Sequence, residues 1–169
     1  MKIFNKLHLV GFITGLALIT LLVVPAMGQG PIVNSVSVGG HDSVAPGWPR
    51  DASLALNAKQ FEDGTVRGQL ADKLAPQFQF VYHAEITCLS VSGNQAWASG
   101  VITQASNPFW IGAFEIILVS DNGTSKNDPP DQISFPFFGF EPAFNNCHAQ
   151  YGDELMPHWD MPDGQVIVR

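Results

Sequence analysis

Five histidines and fifteen carboxylates are the side chains of this 169-residue sequence with the most chemistry to offer. His83 and Glu85 stand two apart in an alternating stretch, so both project from one face of a strand, with Arg67 or Lys59 on a neighbour. A histidine beside a carboxylate is half of a general acid/base pair or half of a metal site. His41-Asp42 and His158-Trp159-Asp160 lie in irregular stretches that could fold toward His83 or His148. Zinc needs three or four converging ligands, and the chain holds neither a helical HExxH nor a CxxC. The plainer reading is a solvated sheet face carrying a His–carboxylate contact. No catalytic residue and no transition metal are assigned on this basis.

Asp121, Asn122, Asp128 and Asp131 form the best cluster of oxygen ligands. Ca²⁺ takes carboxylates and carbonyls from loops of this composition. The spacing departs from an EF-hand, because Gly123 follows the second residue and no acid stands at the twelfth position. Asp and Asn also form turns by bonding their own backbone, and turn structure is the preferred reading, with Ca²⁺ the weaker candidate. No other cofactor is expected. A third group is aromatic: Phe135, Phe137, Phe138, Phe140 and Phe144 fall within ten residues, with Trp110, Tyr151 and Trp159 nearby in sequence. Such residues fill a core, line an apolar pocket or partner surface, or stack on sugar rings. Phe135, Phe137, Phe138, Phe140 and Trp159 are therefore the candidate ligand-binding residues.

Other chemistries find no support. A serine nucleophile would want GxSxG, and no glycine loop suited to phosphate is present. The formal charge is −7, and basic residues are not interleaved with aromatic ones, which excludes nucleic acid as a partner.

The elements that must position these residues begin after a leader. Lys2 and Lys6 precede an uncharged apolar run from Val10 to Val24, which Pro25 breaks before Ala26-Met27-Gly28. That is the pattern of a secretory signal peptide, residues 1–28, cleaved before Gln29. The run is shorter than the ~20 residues of a membrane span. No cysteine lies near the cleavage point to take a lipid anchor. Cleavage leaves 141 residues at −9, exported to the periplasm, the cell surface or the medium. An oxidising compartment makes Cys88 and Cys147 a disulfide pair, in preference to two buried thiols or a metal pair. Closing that 59-residue separation stabilises a fold by ~4 kcal/mol in the chain-entropy model.

Residues 29–50 read as an extended arm or linker, in which Val33, Val36 and Val38 could add a short strand. Residues 51–169 read as an antiparallel β-domain. Leu54, Leu56 and Ala58 alternate with polar residues, Asp63-Gly64 supplies a tight turn, and Val66, Gly68 and Leu70 alternate again. A longer strand carries Phe78, Phe80, Tyr82, Ala84, Ile86 and Cys88 on one face, and a bulge is expected where Leu89 and Val91 switch faces. Ala96, Ala98, Gly100 and Ile102 line up on the next. Phe109–Ser120 is apolar on both faces and so central, whereas Ile133–Phe138 is expected at an edge because Pro136 cannot donate to a ladder. Residues 139–164 read as irregular, tied back by Cys147, and Val166–Val168 as a last strand near the first. No segment outside the leader has helical periodicity. The expectation is a single all-β sandwich or barrel of about seven to eight strands.

Three blocks carry a resemblance. They are Ala55-Leu56-Asn57-Ala58-Lys59 with Gly64–Gln69, Ile86–Trp97 with Gly100–Thr103, and Val119–Gly123 with Asp128–Ser134. Together they resemble a family of small exported bacterial proteins of the "post-COAP" domain type. The resemblance covers roughly residues 52–135 and the closing strand. It implies an exported all-β domain and brings no activity or catalytic residues. The function expected is thus a non-catalytic structural or partner-binding module, with small apolar-ligand or carbohydrate binding by the aromatic segment as the alternative and a His/Glu enzyme or metal protein third.

Overall fold

Leu54, Leu56 and Ala58 are buried while Ser53, Ala55, Asn57 and Lys59 between them face solvent, and this alternation returns at residues 81–87 before giving way to stretches buried on both faces at 96–100 and 115–120. The computed structural model describes residues 30–41, 53–74, 79–125, 127–161 and 163–169. The expected leader lies outside them. Ten strands are formed: β1 (Ile32–His41), β2 (Ser53–Phe61), β3 (Val66–Lys73), β4 (Val81–Ser92), β5 (Gln95–Ala105), β6 (Phe114–Ser120), β7 (Gln132–Ser134), β8 (Phe137–Gly139), β9 (His158–Asp160) and β10 (Asp163–Val168). All pairings are antiparallel, in the order β10-β1-β2-β3-β4-β5-β6-β7-β9, with β8 beside the start of β6. The sheet curls into a half-barrel.

Two glycines permit the curl. Gly68 and Gly100 flank Ile86 in register, and a Cβ at Gly100 would collide with the Glu85 carbonyl, as one at Gly68 would with Ala58. Bare backbone at both places lets neighbouring strands approach closely and the sheet coil. The face switch in β4 is a register shift between Ile86 and Cys88, after which Cys88 leaves the inner face and Leu89 rejoins it. At the β2–β3 turn the Asp63 carboxylate accepts the Thr65 N–H (2.9 Å) and hydroxyl (2.6 Å), which holds its pKa below the ordinary value.

Four expectations change. The described part of the supposed arm, residues 30–41, holds β1, an interior strand that pairs β2 and β10 and buries Val36 and Val38. Ile133–Phe138 is two strands, not one edge strand. Pro136, which has no N–H, falls at the break, so that β7 pairs one end of β6 and β8 the other. The irregular stretch 139–164 contains β9 and two single turns of 3₁₀ helix, Pro142–Asn145 and Cys147–Ala149. Among the described residues there are therefore ten strands where seven or eight were expected.

Two apolar cores result. The inner one lies within the curl and runs from Val36 through Leu56, Leu70, Ile86 and Ile102 to Ile117 and Val166. The outer one covers the opposite face of β5 and β6, where Trp97, Ile116 and Leu118 pack under Phe137, Phe144, Cys147 and Met156. The Cys88–Cys147 disulfide (Cα–Cα 5.8 Å) and a hydrogen bond from the Trp97 indole to the Tyr151 carbonyl (3.0 Å) fasten this cover. Central β6 thus serves both cores, as its two apolar faces require.

Candidate functional site: an aromatic pocket above buried acids

At one end of the half-barrel the connection from β5 to β6 is a single 3₁₀ turn, Pro108–Trp110. The Asn107 side chain accepts the Phe109 N–H (3.1 Å), and Pro108 starts the turn where no N–H is needed. The turn points Trp110 over the end of the inner core. With Leu74, Phe80, Phe135 and Phe138 it lines an open pocket of about 460 Å³, and Gln79, Ser106 and Asn107 supply the polar wall. The rings meet in edge-to-face and offset arrangements: Trp110–Phe138 at 4.8 Å, Phe80–Phe138 at 5.8 Å and Trp110–Phe140 at 6.0 Å. Such pairs hold one another beyond their shared apolar area. Phe109 (65% exposed) and Phe140 (51%) extend the wall into solvent.

Beneath the rings lies an unusual group. Tyr82 stacks on Phe80 (5.4 Å) and approaches Phe138 (6.0 Å). Asp72, its register partner on β3, and Glu115 on β6 flank its hydroxyl, and all three side chains are buried. The Tyr82 hydroxyl lies within hydrogen-bonding reach of the Glu115 and Asp72 carboxyls, and no backbone N–H reaches Glu115. Burial pushes the Glu115 carboxyl up to about 8, the nearby Tyr82 hydroxyl offsetting this only in part. Burial first, and the two carboxyls second, hold the Tyr82 phenol well above its ordinary range. Near neutral pH Glu115 is therefore a carboxylic acid, able to donate a hydrogen bond as well as accept one.

The aromatic segment divides as strand alternation demands. Phe138 turns inward to the pocket and its neighbour Phe137 outward to the second core. Phe135 lines the pocket, Phe140 stacks on Trp110 at its rim, and Trp159 sits away from it on β9, opposite Ile133. Phe137 and Trp159 are thus not pocket residues. Trp110 and Phe80 are, and their place could not be read from a cluster in sequence.

The acidic loop is spent on the backbone. Asp131 accepts the Asn122 N–H (2.8 Å) and the Val166 N–H (2.6 Å) on separate oxygens. Asp121 accepts the Gly123 N–H (3.1 Å) and the Val168 N–H (3.0 Å), and Asp128 accepts the Ser125 N–H (2.7 Å). Asn122 donates its amide to the Pro130 carbonyl (2.7 Å). Two of these bonds join β10 to the ends of β6 and β7, so the acids seam the curl where no ladder does. These bonds are the backbone-bonded turn structure that was the preferred reading of Asp121, Asn122, Asp128 and Asp131. Among the described residues the one group of three metal-ligand side chains is Cys88, Cys147 and His148, whose sulfurs are bonded to each other.

His83 and Glu85 do share one face of β4, with Asn57, Arg67, Gln69 and Gln104 around them in a wide trough on the outer surface. Both are exposed, and no hydrogen bond or ion pair joins them. The other histidines are scattered: His41 contacts Asp163 (2.5 Å) across β1 and β10, and His158 contacts Asp153 (3.1 Å). Among the described residues no other histidine lines the trough with His83. No family model matches the chain, and neither a curated protein nor a solved structure is significantly similar to it.

Proposed function

We propose that this chain is an exported, non-catalytic β-domain that binds a small apolar ligand in the pocket beneath Trp110. The observation that carries this reading is the pocket itself: about 460 Å³, walled by Phe80, Trp110, Phe135 and Phe138, with a few polar groups on one side. Small-molecule sites have that composition and size, at the mouths of β-barrels among other places. The outer trough around His83 is larger, and both are open to solvent, but the trough's walls are strand residues without an aromatic platform. Export is supported by the disulfide and agrees with the resemblance to exported post-COAP-type domains. Among the described residues no helix is long and apolar enough to cross a membrane.

The test uses N-phenyl-1-naphthylamine, a neutral apolar dye that brightens on leaving water. The full chain is expected to bind it with a blue-shifted emission, and Trp110→Ala to weaken binding about tenfold, the cost of a lost aromatic contact of roughly 1.4 kcal/mol. Absence of binding, or binding indifferent to both Trp110→Ala and Phe138→Ala, would overturn the reading.

A further inference from the structure

The pocket wall is uncharged, and its polar groups are unevenly used. Among the described residues no Asp, Glu, Lys, Arg or His lines it. Most of its acceptors are taken. The Asn107 side-chain oxygen receives the Phe109 N–H (3.1 Å), and the Asn107 carbonyl receives the Trp110 N–H (3.2 Å). The Ser106 hydroxyl receives the Val81 N–H (3.1 Å) and donates to the Gln79 carbonyl (3.2 Å). The Phe80 carbonyl receives the Leu74 N–H (2.9 Å). The donors are left over. With its oxygen fixed on the turn, Asn107 keeps both amide hydrogens, and among the described residues no group accepts them or the Trp110 indole N–H. The Trp97 indole, by contrast, is bonded to the Tyr151 carbonyl (3.0 Å). The Gln79 side-chain amide adds two donors and one acceptor to the same wall.

We propose that the pocket selects neutral aromatic molecules bearing a carbonyl acceptor: aryl ketones, esters and amides. This rests on the pocket reading above and adds the head group to it. The aromatic body lies against Phe80, Trp110 and Phe138, whose rings favour edge-to-face and offset contact with another ring. The carbonyl oxygen accepts from the Asn107 amide and the Trp110 indole. A hydrocarbon of the same shape displaces water from those donors and offers nothing in return, a penalty that a carbonyl removes. A carboxylate also brings acceptors, but it would lose hydration against a wall without a basic side chain, on a chain of formal charge −7. An ammonium would bring more donors to a wall already rich in them.

Displacement of N-phenyl-1-naphthylamine from the full chain by 2-acetylnaphthalene, 2-ethylnaphthalene and 2-naphthoate decides the matter, since the three share one ring system. The ketone is expected to bind about tenfold more tightly than the hydrocarbon, roughly threefold for each of two neutral hydrogen bonds, with naphthoate weakest. Asn107→Asp keeps the oxygen that caps the turn and removes the amide donors. Trp110→Phe keeps a ring and removes the N–H. Each should lower the ratio of ketone to hydrocarbon affinity about threefold, and the double variant should bring it to about one. The wild-type ratios test the inference without any variant. Equal affinity for ketone and hydrocarbon, both weakened by Trp110→Ala, would overturn the carbonyl inference and leave the pocket standing. So would naphthoate binding tightest, or a ketone preference undiminished in the double variant. Failure of the dye and all three probes to bind would overturn both.

Discussion

Two sets of buried acids in one half-barrel have opposite fates. Asp131 is 8% exposed, and each of its oxygens receives a backbone N–H. Glu115 is wholly buried, receives no backbone N–H, and has only the Tyr82 hydroxyl within reach. A carboxyl group supplied with amide donors is satisfied where it stands and acts as a structural clip. One denied them gives up its charge. The seam at Asp121 and Asp131 therefore explains how the sheet's ends are held. The cluster at Glu115 instead joins side chains of β3, β4 and β6 to one another inside the inner core.

The comparison breaks most severely at the seam. Asp131→Ala leaves the Asn122 and Val166 amides without acceptors, at a cost of about 1–3 kcal/mol each, so urea unfolding should show a loss of roughly 4 kcal/mol. Asp131→Asn keeps one acceptor oxygen and should lose about half as much. Equal, small losses in both would mean that the seam does not hold the curl.

The Glu115 side sharpens the contrast through pH. The folded carboxyl titrates at about 8 and the unfolded one near 4.5. The folded state thus binds the extra proton between these values, and stability falls as pH rises through that window. From pH 5 to pH 8 the fall attributable to this group is roughly 3 kcal/mol, and Glu115→Gln should remove it in urea unfolding profiles taken across the range. A wild-type profile that is flat, or that rises with pH there, contradicts this placement of the acid. The smallest effect is expected from calcium. Since the loop carboxylates are committed to amides, millimolar Ca²⁺ should leave the melting temperature unchanged, and a rise reversed by chelator would reopen the loop as a cation site.

Much of this was legible in the residues. Strict alternation in β2, β3 and the first half of β4 fixes which side chains face inward, because the strand period of two leaves no other assignment. The two apolar faces of β6 and the Cys88–Cys147 pair were equally plain. The site was less so. Glu115 stands in an apolar strand between Phe114 and Ile116, and its isolation there was the one signal that could have drawn attention to it. Five phenylalanines close in sequence looked like one feature, yet alternation in β8 sends Phe138 and Phe137 to different cores.

The sequence by itself thus determined the class of the fold, the faces of its longer strands and the bridge, since these depend on local periodicity and on one pair of thiols. Only the tertiary structure decided that Asp131 and Asp121 meet the amides of β10, that Trp110 covers the end of the inner core, and that Asp72, Tyr82 and Glu115 share one dry place. Most of those residues come from separate parts of the chain, and the curl of the sheet, with its close approaches at Gly68 and Gly100, brings β10 to β6 and β7 and β6 to β3 and β4.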